Sequence, residues 1–255
     1  MLDQISGLHH ITAMARDANG NNRFFTGVLG LRRVKKTVNF DAPEVYHLYY
    51  GNETGTPGGR RGAGEVGTSV FAVPEGALPY WRGRLERLGS GGVTEARRFG
   101  QSELRFTGPD GGGFALVEQP GDDRAPWTGG GVGTDEAIRG FHSASLRLRS
   151  TSRTAELLRF MGYEVAGREG NVTRFVRPGG NGAQVIDLEE HPDAPPARQG
   201  AGSVHHIAFA VRDRAAQDAV RTAIADTGYG VTPPIDRDYF WAIYFRTPGG
   251  VLFEV

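Results

Sequence analysis

Four times along this 255-residue chain, a short segment of alternating apolar and polar residues runs into a helix-length stretch whose apolar residues recur every three or four positions. In the first unit, residues 8–15 read as a half-buried strand. Asp17 is placed to N-cap a helix carrying Phe24, Phe25 and Leu29, and Gly30 stops it. Strands follow at 31–39 and 45–50. The second unit has a strand at 67–73, a helix at 78–88 and a last strand at 114–118, with Pro109-Asp110-Gly111 as the turn before it. The third starts at 140–148, has a helix near 152–161 and closes at 184–189. The fourth starts at 203–211, has a helix from Asp213 to about Ala225, and closes with 239–245, the turn Pro248-Gly249-Gly250, and 251–255. Each unit therefore reads as strand, helix, then three strands. Residues 119–135, rich in Gly, Pro and Asp, form the linker between two halves.

Composition narrows the partners. Lys plus Arg and Asp plus Glu both number 29, so no electrostatic footprint points to nucleic acid or to an acidic membrane. The absence of cysteine excludes a disulfide framework and a thiolate metal site. The start of the chain lacks the apolar stretch of a signal peptide, and no run approaches the ~18 apolar residues of a spanning helix. A soluble cytoplasmic protein is expected. Abundant glycine, 39 residues, suits many short strands joined by turns.

The candidate chemistry lies in a repeat. His9-His10-Ile11 is followed by Arg16-Asp17, and His205-His206-Ile207 by Arg212-Asp213. Histidine is the commonest neutral metal ligand, and a motif repeated near both ends predicts that distant segments meet at one site. Alternation separates the two imidazoles of each pair. His9 shares its phase with Ile11, Ala13 and Ala15, and His205 with Ile207, Phe209 and Val211, so both are expected to face the core. His10 shares its phase with Thr12, and His206 with Ala208 and Ala210, small residues that leave room for a ligand. At the C-terminus Val251, Phe253 and Val255 form the apolar phase, which leaves Glu254 on the other face. Tyr239, Trp241, Ile243 and Phe245 form the core phase before it, with Ala242 and Tyr244 opposite. Two imidazoles and a carboxylate make the facial triad associated with non-haem Fe(II), although Zn, Ni or Mn fit the same ligands. In units two and three the pattern weakens: Thr68 stands where the other units have His10, His142 and His206. His142 and Asp187 are expected to face one another across a second pocket without a full ligand set.

These motifs resemble the vicinal-oxygen-chelate superfamily, which includes glyoxalase I, bleomycin-resistance proteins and extradiol dioxygenases. The likeness is greatest to ring-cleaving dioxygenases of the hydroquinone 1,2-dioxygenase type. It is carried by Gly7-Leu8-His9-His10-Ile11-Thr12, by Phe25-Thr26-Gly27-Val28-Leu29-Gly30-Leu31, by Val34-Lys35-Lys36-Thr37 and by Tyr46-His47-Leu48-Tyr49-Tyr50-Gly51. Gly55-Thr56-Pro57-Gly58, Arg139-Gly140-Phe141-His142, Val204-His205-His206 and the run from Arg246 to Glu254 extend it. The resemblance implies an α+β fold of four βαβββ modules, paired into two domains (1–122 and 138–255, linker 123–137), with curved mixed sheets around a metal-binding cavity. It implies one Fe(II) site between modules one and four, with His10, His206 and Glu254 as ligands. It further implies supporting roles for His9, Thr12, His205, Arg237 and Tyr244, the last two beside bound substrate and His205 in proton transfer. The implied partners are a small aromatic diol and O2, and self-association is common in the family.

Two departures stand out. After Gly58 the family continues with an apolar strand able to bring a fourth ligand, but this chain passes directly to Gly59-Arg60-Arg61-Gly62. Module one is therefore expected to lack its fourth strand as written, and three-ligand and four-ligand sites both stay open. The chain also stops one residue beyond Glu254, where the family carries an extension, so residues are expected to be missing at both places. The leading expectation is an Fe(II)-dependent ring-cleaving dioxygenase. A glyoxalase-like isomerase or lyase using Ni or Zn, which normally wants a second carboxylate, is the first alternative. A non-catalytic binder of aromatic drugs, for which the triad is dispensable, is the second.

Overall fold

Asp17 and Asp213 each follow the first strand of a module by two residues and cap the helix behind it. Asp17 accepts from the backbone N–H groups of Asn19 and Gly20, and Asp213 from that of Ala216. The computed structural model describes residues 2–255 apart from 35, 40, 41, 49, 50, 54–58 and 239, with backbone alone over 36–39, 42–48 and 51–53. Module one contains β1 (Ile5–Ala15), α1 (Ala18–Asn22) running into a π-helical turn (Arg23–Val28), β2 (Lys36–Asn39), β3 (Ala42–Leu48) and β4 (Gly51–Glu53). Module two contains β5 (Glu65–Val73), α2 (Leu78–Arg87), β6 (Gly91–Arg98), β7 (Gln101–Thr107) and β8 (Gly113–Glu118). Module three contains β9 (Gly140–Leu148), α3 (Ser152–Phe160), β10 (Glu164–Glu169), β11 (Val172–Val176) and β12 (Val185–Glu190). Module four contains β13 (Val204–Val211), α4 (Arg214–Asp226), β14 (Ile235–Asp236), β15 (Trp241–Ala242), β16 (Tyr244–Arg246) and β17 (Leu252–Glu254). The α+β class and the modular repeat are as expected.

Sheets join modules across the two halves of the chain. The first sheet runs β16-β17-β13-β1-β4-β3-β2 and unites modules four and one, while the second runs β10-β11-β12-β9-β5-β8-β7-β6 and unites three and two. The cores join mostly within the halves. Phe24, Phe25 and Leu29 of module one pack with Trp81, Leu85 and Leu116 of module two. Leu157 and Leu158 on α3 share a second cluster with Val220 and Ile224 on α4, and with Leu8, Ile11, Ile207 and Phe253. Crossed joints of this kind tie the four modules into one body.

The fourth strand of module one is a correction to the sequence expectation. Residues before Gly58 supply it: β4 is three residues long and runs parallel to β1 at Met14 and Ala15. Beyond it, Arg60 and Ala63 bridge to Arg198 and Pro196, so the connection from module one to two lies on the connection from three to four. Gly62 is required there, since a Cβ would overlap the Pro195 carbonyl oxygen. Strands β6 and β10 have no apolar phase in the sequence to announce them. They are the two edges of the second sheet, exposed and charged, which discourages pairing with another chain. No helix among the described residues is long and apolar enough to cross a membrane.

The seam between β1 and β13 is the joint that matters for stability near the site. Ile207 is fully buried and pairs with Ile11 across it. Ile207→Ala should cost about 2–5 kcal/mol through lost burial and a residual cavity. Removing the α4 cap with Asp213→Ala should cost about 1 kcal/mol. Urea midpoints of the two variants check the ranking; equal losses would show that the seam is not tightly packed.

Candidate metal centre

Across the seam, Ile11 lies opposite Ile207, His10 opposite Ala208 and Thr12 opposite His206. The arrangement is nearly symmetric about the isoleucine pair. On each side the register then slips by one residue, at His9 in β1 and at His205 in β13. A bulge of this type places two residues against one and re-aims a side chain. Leu8 and Ile11 both enter the core, and the two histidines between them stay out of it.

That geometry overturns the expectation that His9 and His205 turn inward. His9 is exposed and His205 half-buried. His9 Nδ1 lies 2.9 Å from His10 Nδ1, and His205 Nδ1 lies 2.9 Å from His206 Nδ1. Each pair shares one proton, so one ring donates and the other accepts. Simple alternation fails because an extra residue in the ladder cancels the change of face. Burial pushes the His205 imidazole down to about 4, with His206 and Arg246 adding to the effect, so it stays neutral near pH 7.

His10 and His206 present their Nε2 atoms to each other at 3.3 Å. Glu254 reaches both from β17, with Oε1 3.6 Å from His10 Nε2 and Oε2 2.9 Å from His206 Nε2. Among the described residues these three form the one cluster of ligand-type side chains, its donor atoms all within 4.8 Å of one another. Their fit to a cation has an independent sign. Glu254 is 3% exposed, yet its Oε2 has no hydrogen-bond partner, although His206 Nε2 lies 2.9 Å away. A buried carboxylate oxygen without a donor is costly unless a cation meets it. The nitrogen spacing fits too: bonds of ~2.1 Å at right to tetrahedral angles place two donors about 3.0–3.4 Å apart. Burial pushes the Glu254 carboxyl up, but His206, the charge of His10 and the Tyr244 hydroxyl more than offset this and hold it at about 2.

Tyr244 and Arg237 stand beside the triad. The Tyr244 ring meets His206 edge to face at 5.7 Å, with its hydroxyl near enough to Glu254 to help hold that carboxyl ionised. Burial first, then the Glu254 charge, hold that hydroxyl well above its ordinary range, so it remains a proton donor. The Arg237 guanidinium lies 5.7 Å from the centre of the Tyr244 ring, and its charge partly offsets the rise in the Tyr244 hydroxyl. Thr12 is buried directly across from His206. Phe240, which the sequence did not single out, brings its ring within 5.9 Å of His10. Its position depends on the β14–β15 hairpin, a pairing of two residues on each side with no apolar alternation to reveal it. Trp241 corrects the alternation at the same place. It is 45% exposed and Ala242 is buried, because the chain changes partner at Ile243, from β14 to β17. Tyr239 lies outside the described residues.

The second sheet carries the counterpart pocket. Thr68, His142 and Asp187 line a cavity of about 110 Å³ there, together with Arg98, Arg174 and Glu189. His142 and Asp187 do share this pocket, but Asp187 is gripped by Arg174 through both oxygens at 2.8 Å.

Paired modules with two imidazoles and a carboxylate at their seam define a class of metal-binding βαβββ proteins. A family model described as the Glyoxalase/Bleomycin resistance protein/Dioxygenase superfamily matches residues 158–255. Full-length relatives extend the match to the whole chain. The provisionally named ring-cleaving dioxygenase MhqO of Bacillus subtilis (strain 168) is 43% identical over 100% of this chain and 85% of its own length. The chlorohydroquinone/hydroquinone 1,2-dioxygenase of Sphingobium indicum is 39% identical over 99% of this chain and 85% of its own. A crystal structure of a provisionally named dioxygenase from Bacillus subtilis superposes with a TM-score of 0.93 at 41% identity, covering 98% of this chain and 84% of that one. Glyoxalase I from Zea mays shares the fold at 12% identity, with a TM-score of 0.69 over 97% of this chain and 91% of that one. The chain thus belongs to the glyoxalase/bleomycin resistance protein/dioxygenase superfamily, among relatives named as ring-cleaving dioxygenases.

His142 yields a pH prediction. Burial, reinforced by Arg174, pushes its imidazole from 6.5 down to about 4. Between those values the unfolded chain binds the proton and the folded one does not, so stability is full above pH 6.5 and falls toward pH 4. At about 1.4 kcal/mol per pK unit, the fall should reach about 3 kcal/mol. His142→Gln should lose that component, and urea unfolding of both proteins between pH 4 and 7 checks it. Parallel stability curves would refute the assignment.

Proposed function

We propose that this chain is an Fe(II)-dependent dioxygenase that opens a dihydroxylated aromatic ring of the hydroquinone or catechol type with O2. One observation carries the reading: two imidazole nitrogens and a buried, donorless carboxylate oxygen face a common space. Relatives of similar length are named for ring cleavage, which supports the same reaction class. His10, His206 and Glu254 would hold the ion and leave positions open for substrate and O2. Bound Fe(II) would supply redox chemistry, relaying electrons between a coordinated diol oxygen and O2, which Zn does not offer.

The protein's own residues set up that chemistry. A ligating imidazole must keep its Nε2 lone pair for the cation, so its Nδ1 carries the proton and needs an acceptor. His9 and His205 provide one for each ligand, fixing tautomer and ring orientation. His205, neutral near pH 7 and accepting at Nδ1, keeps its own proton on Nε2, where it is a donor. Tyr244, kept protonated, donates toward the site, and Arg237 behind it places a permanent positive charge where negative charge develops on the substrate. The small Thr12 and Ala208 leave space on the site face of the seam. Self-association, common in the resembling family, would leave this site intact, since both halves of the seam come from one chain.

Protein purified anaerobically should carry near-stoichiometric iron and consume O2 with hydroquinone or catechol, and chelation should abolish the uptake. Glu254→Ala or His206→Ala should lose both iron and activity. Tyr244→Phe should retain iron while kcat falls about 10²–10³-fold, the scale of one lost charge-stabilising donor. Full turnover by Glu254→Ala sinks the proposal.

A further inference from the structure

We propose that the cavity of the second sheet binds a small oxyanion, a carboxylate of formate or acetate size, independently of the metal centre. The two sheets hold equivalent pockets with opposite needs. In the first, the buried Oε2 of Glu254 has no hydrogen-bond partner and calls for a cation. In the second, the corresponding acid already has one. Arg174 forks onto both oxygens of Asp187, and its remaining amino group donates to Gln101 Oε1 at 2.6 Å. Glu189 Oε1 accepts from Arg98 Nη1 at 2.8 Å, and Glu103 is paired with Arg105.

With these acids engaged, donors are left facing the cavity. Arg98 commits only Nη1, to Glu189 and, at 3.3 Å, to Ser145 Oγ. A guanidinium has five N–H donors, so Nε and Nη2 remain available. The Thr68 hydroxyl also lines the space. His142 is 4% exposed and has Nδ1 at 3.0 Å from Ser143 Oγ; in the tautomer in which Nδ1 accepts from that hydroxyl, Nε2–H is a further donor on the wall of the cavity. With each acid of the pocket held by an arginine and N–H groups of Arg98 to spare, the pocket selects a ligand that accepts, and a charged acceptor takes the strongest hydrogen bonds from guanidinium. Size sets the class. A cavity of about 110 Å³ holds three or four waters at ~30 Å³ each, hence an anion of a few heavy atoms and not an aromatic ring. Arg105, with 41% of its side chain exposed, stands at the mouth and provides the route in.

Calorimetric titration of the full-length protein tests this, with sodium formate and sodium acetate as probes and sodium chloride and acetamide as controls. Saturable one-site binding of the carboxylates, absent with chloride and acetamide, is expected. Arg98→Gln should weaken it about tenfold or more, the loss of a charge-assisted donor. Thr68→Leu should block it by filling the space without touching an ion pair, which keeps the test decisive if Arg98→Gln does not fold. Glu254→Ala should leave it unchanged, and loss there would place the carboxylate at the metal centre and overturn the proposal. Absence of saturable binding, equal binding of acetamide, or full binding by Thr68→Leu would also overturn it.

Discussion

Antiparallel pairing of β1 with β13 is the constraint on which the site depends. Ile11 and Ile207 meet at its centre, each side chain worth roughly 1.5–3 kcal/mol when fully buried. Their burial fixes the register, and the register leaves no freedom in where His10 and His206 go. A one-residue slip would turn the strand over and scatter the donors onto opposite faces. The parallel addition of β17 beside β13 then sets Glu254 next to Ala208, within reach of both imidazoles.

The two bulges turn a plain strand pair into a supported centre. A regular ladder would send His9 and His205 to the core, where an imidazole next to Leu8 or Ile207 would lack a partner. One extra residue per strand lets the apolar neighbours on both sides stay buried while both histidines leave the core together. Each prospective ligand thereby gains a second imidazole at 2.9 Å to hold its ring. Near-identical geometry at both ends follows from the repeated His-His-Ile run lying across an approximate two-fold axis.

The second sheet repeats the architecture with the electrostatics inverted. Thr68 removes one imidazole, and the guanidinium of Arg174 takes up the carboxylate that a cation would otherwise meet. Since sheets pair modules one with four and two with three, while the cores mostly join one with two and three with four, the pockets sit in one continuous body.

Much of this was legible in the amino-acid order, because periodicity and capping are local. The four strand-helix starts, the Asp17 cap, the buried phase of Val251, Phe253 and Val255, and the selection of His10, His206 and Glu254 all follow from neighbours within a few residues. What stayed hidden is what neighbours cannot encode. The charged edge strands β6 and β10 carry no apolar phase, Phe240 and the exposed Trp241 depend on a hairpin two residues long, and the bulges exist only relative to a partner strand far away in the chain. Alternation assigns faces within a strand; only the paired ladder decides where that alternation is interrupted, since a bulge is a mismatch between two strands and belongs to neither alone.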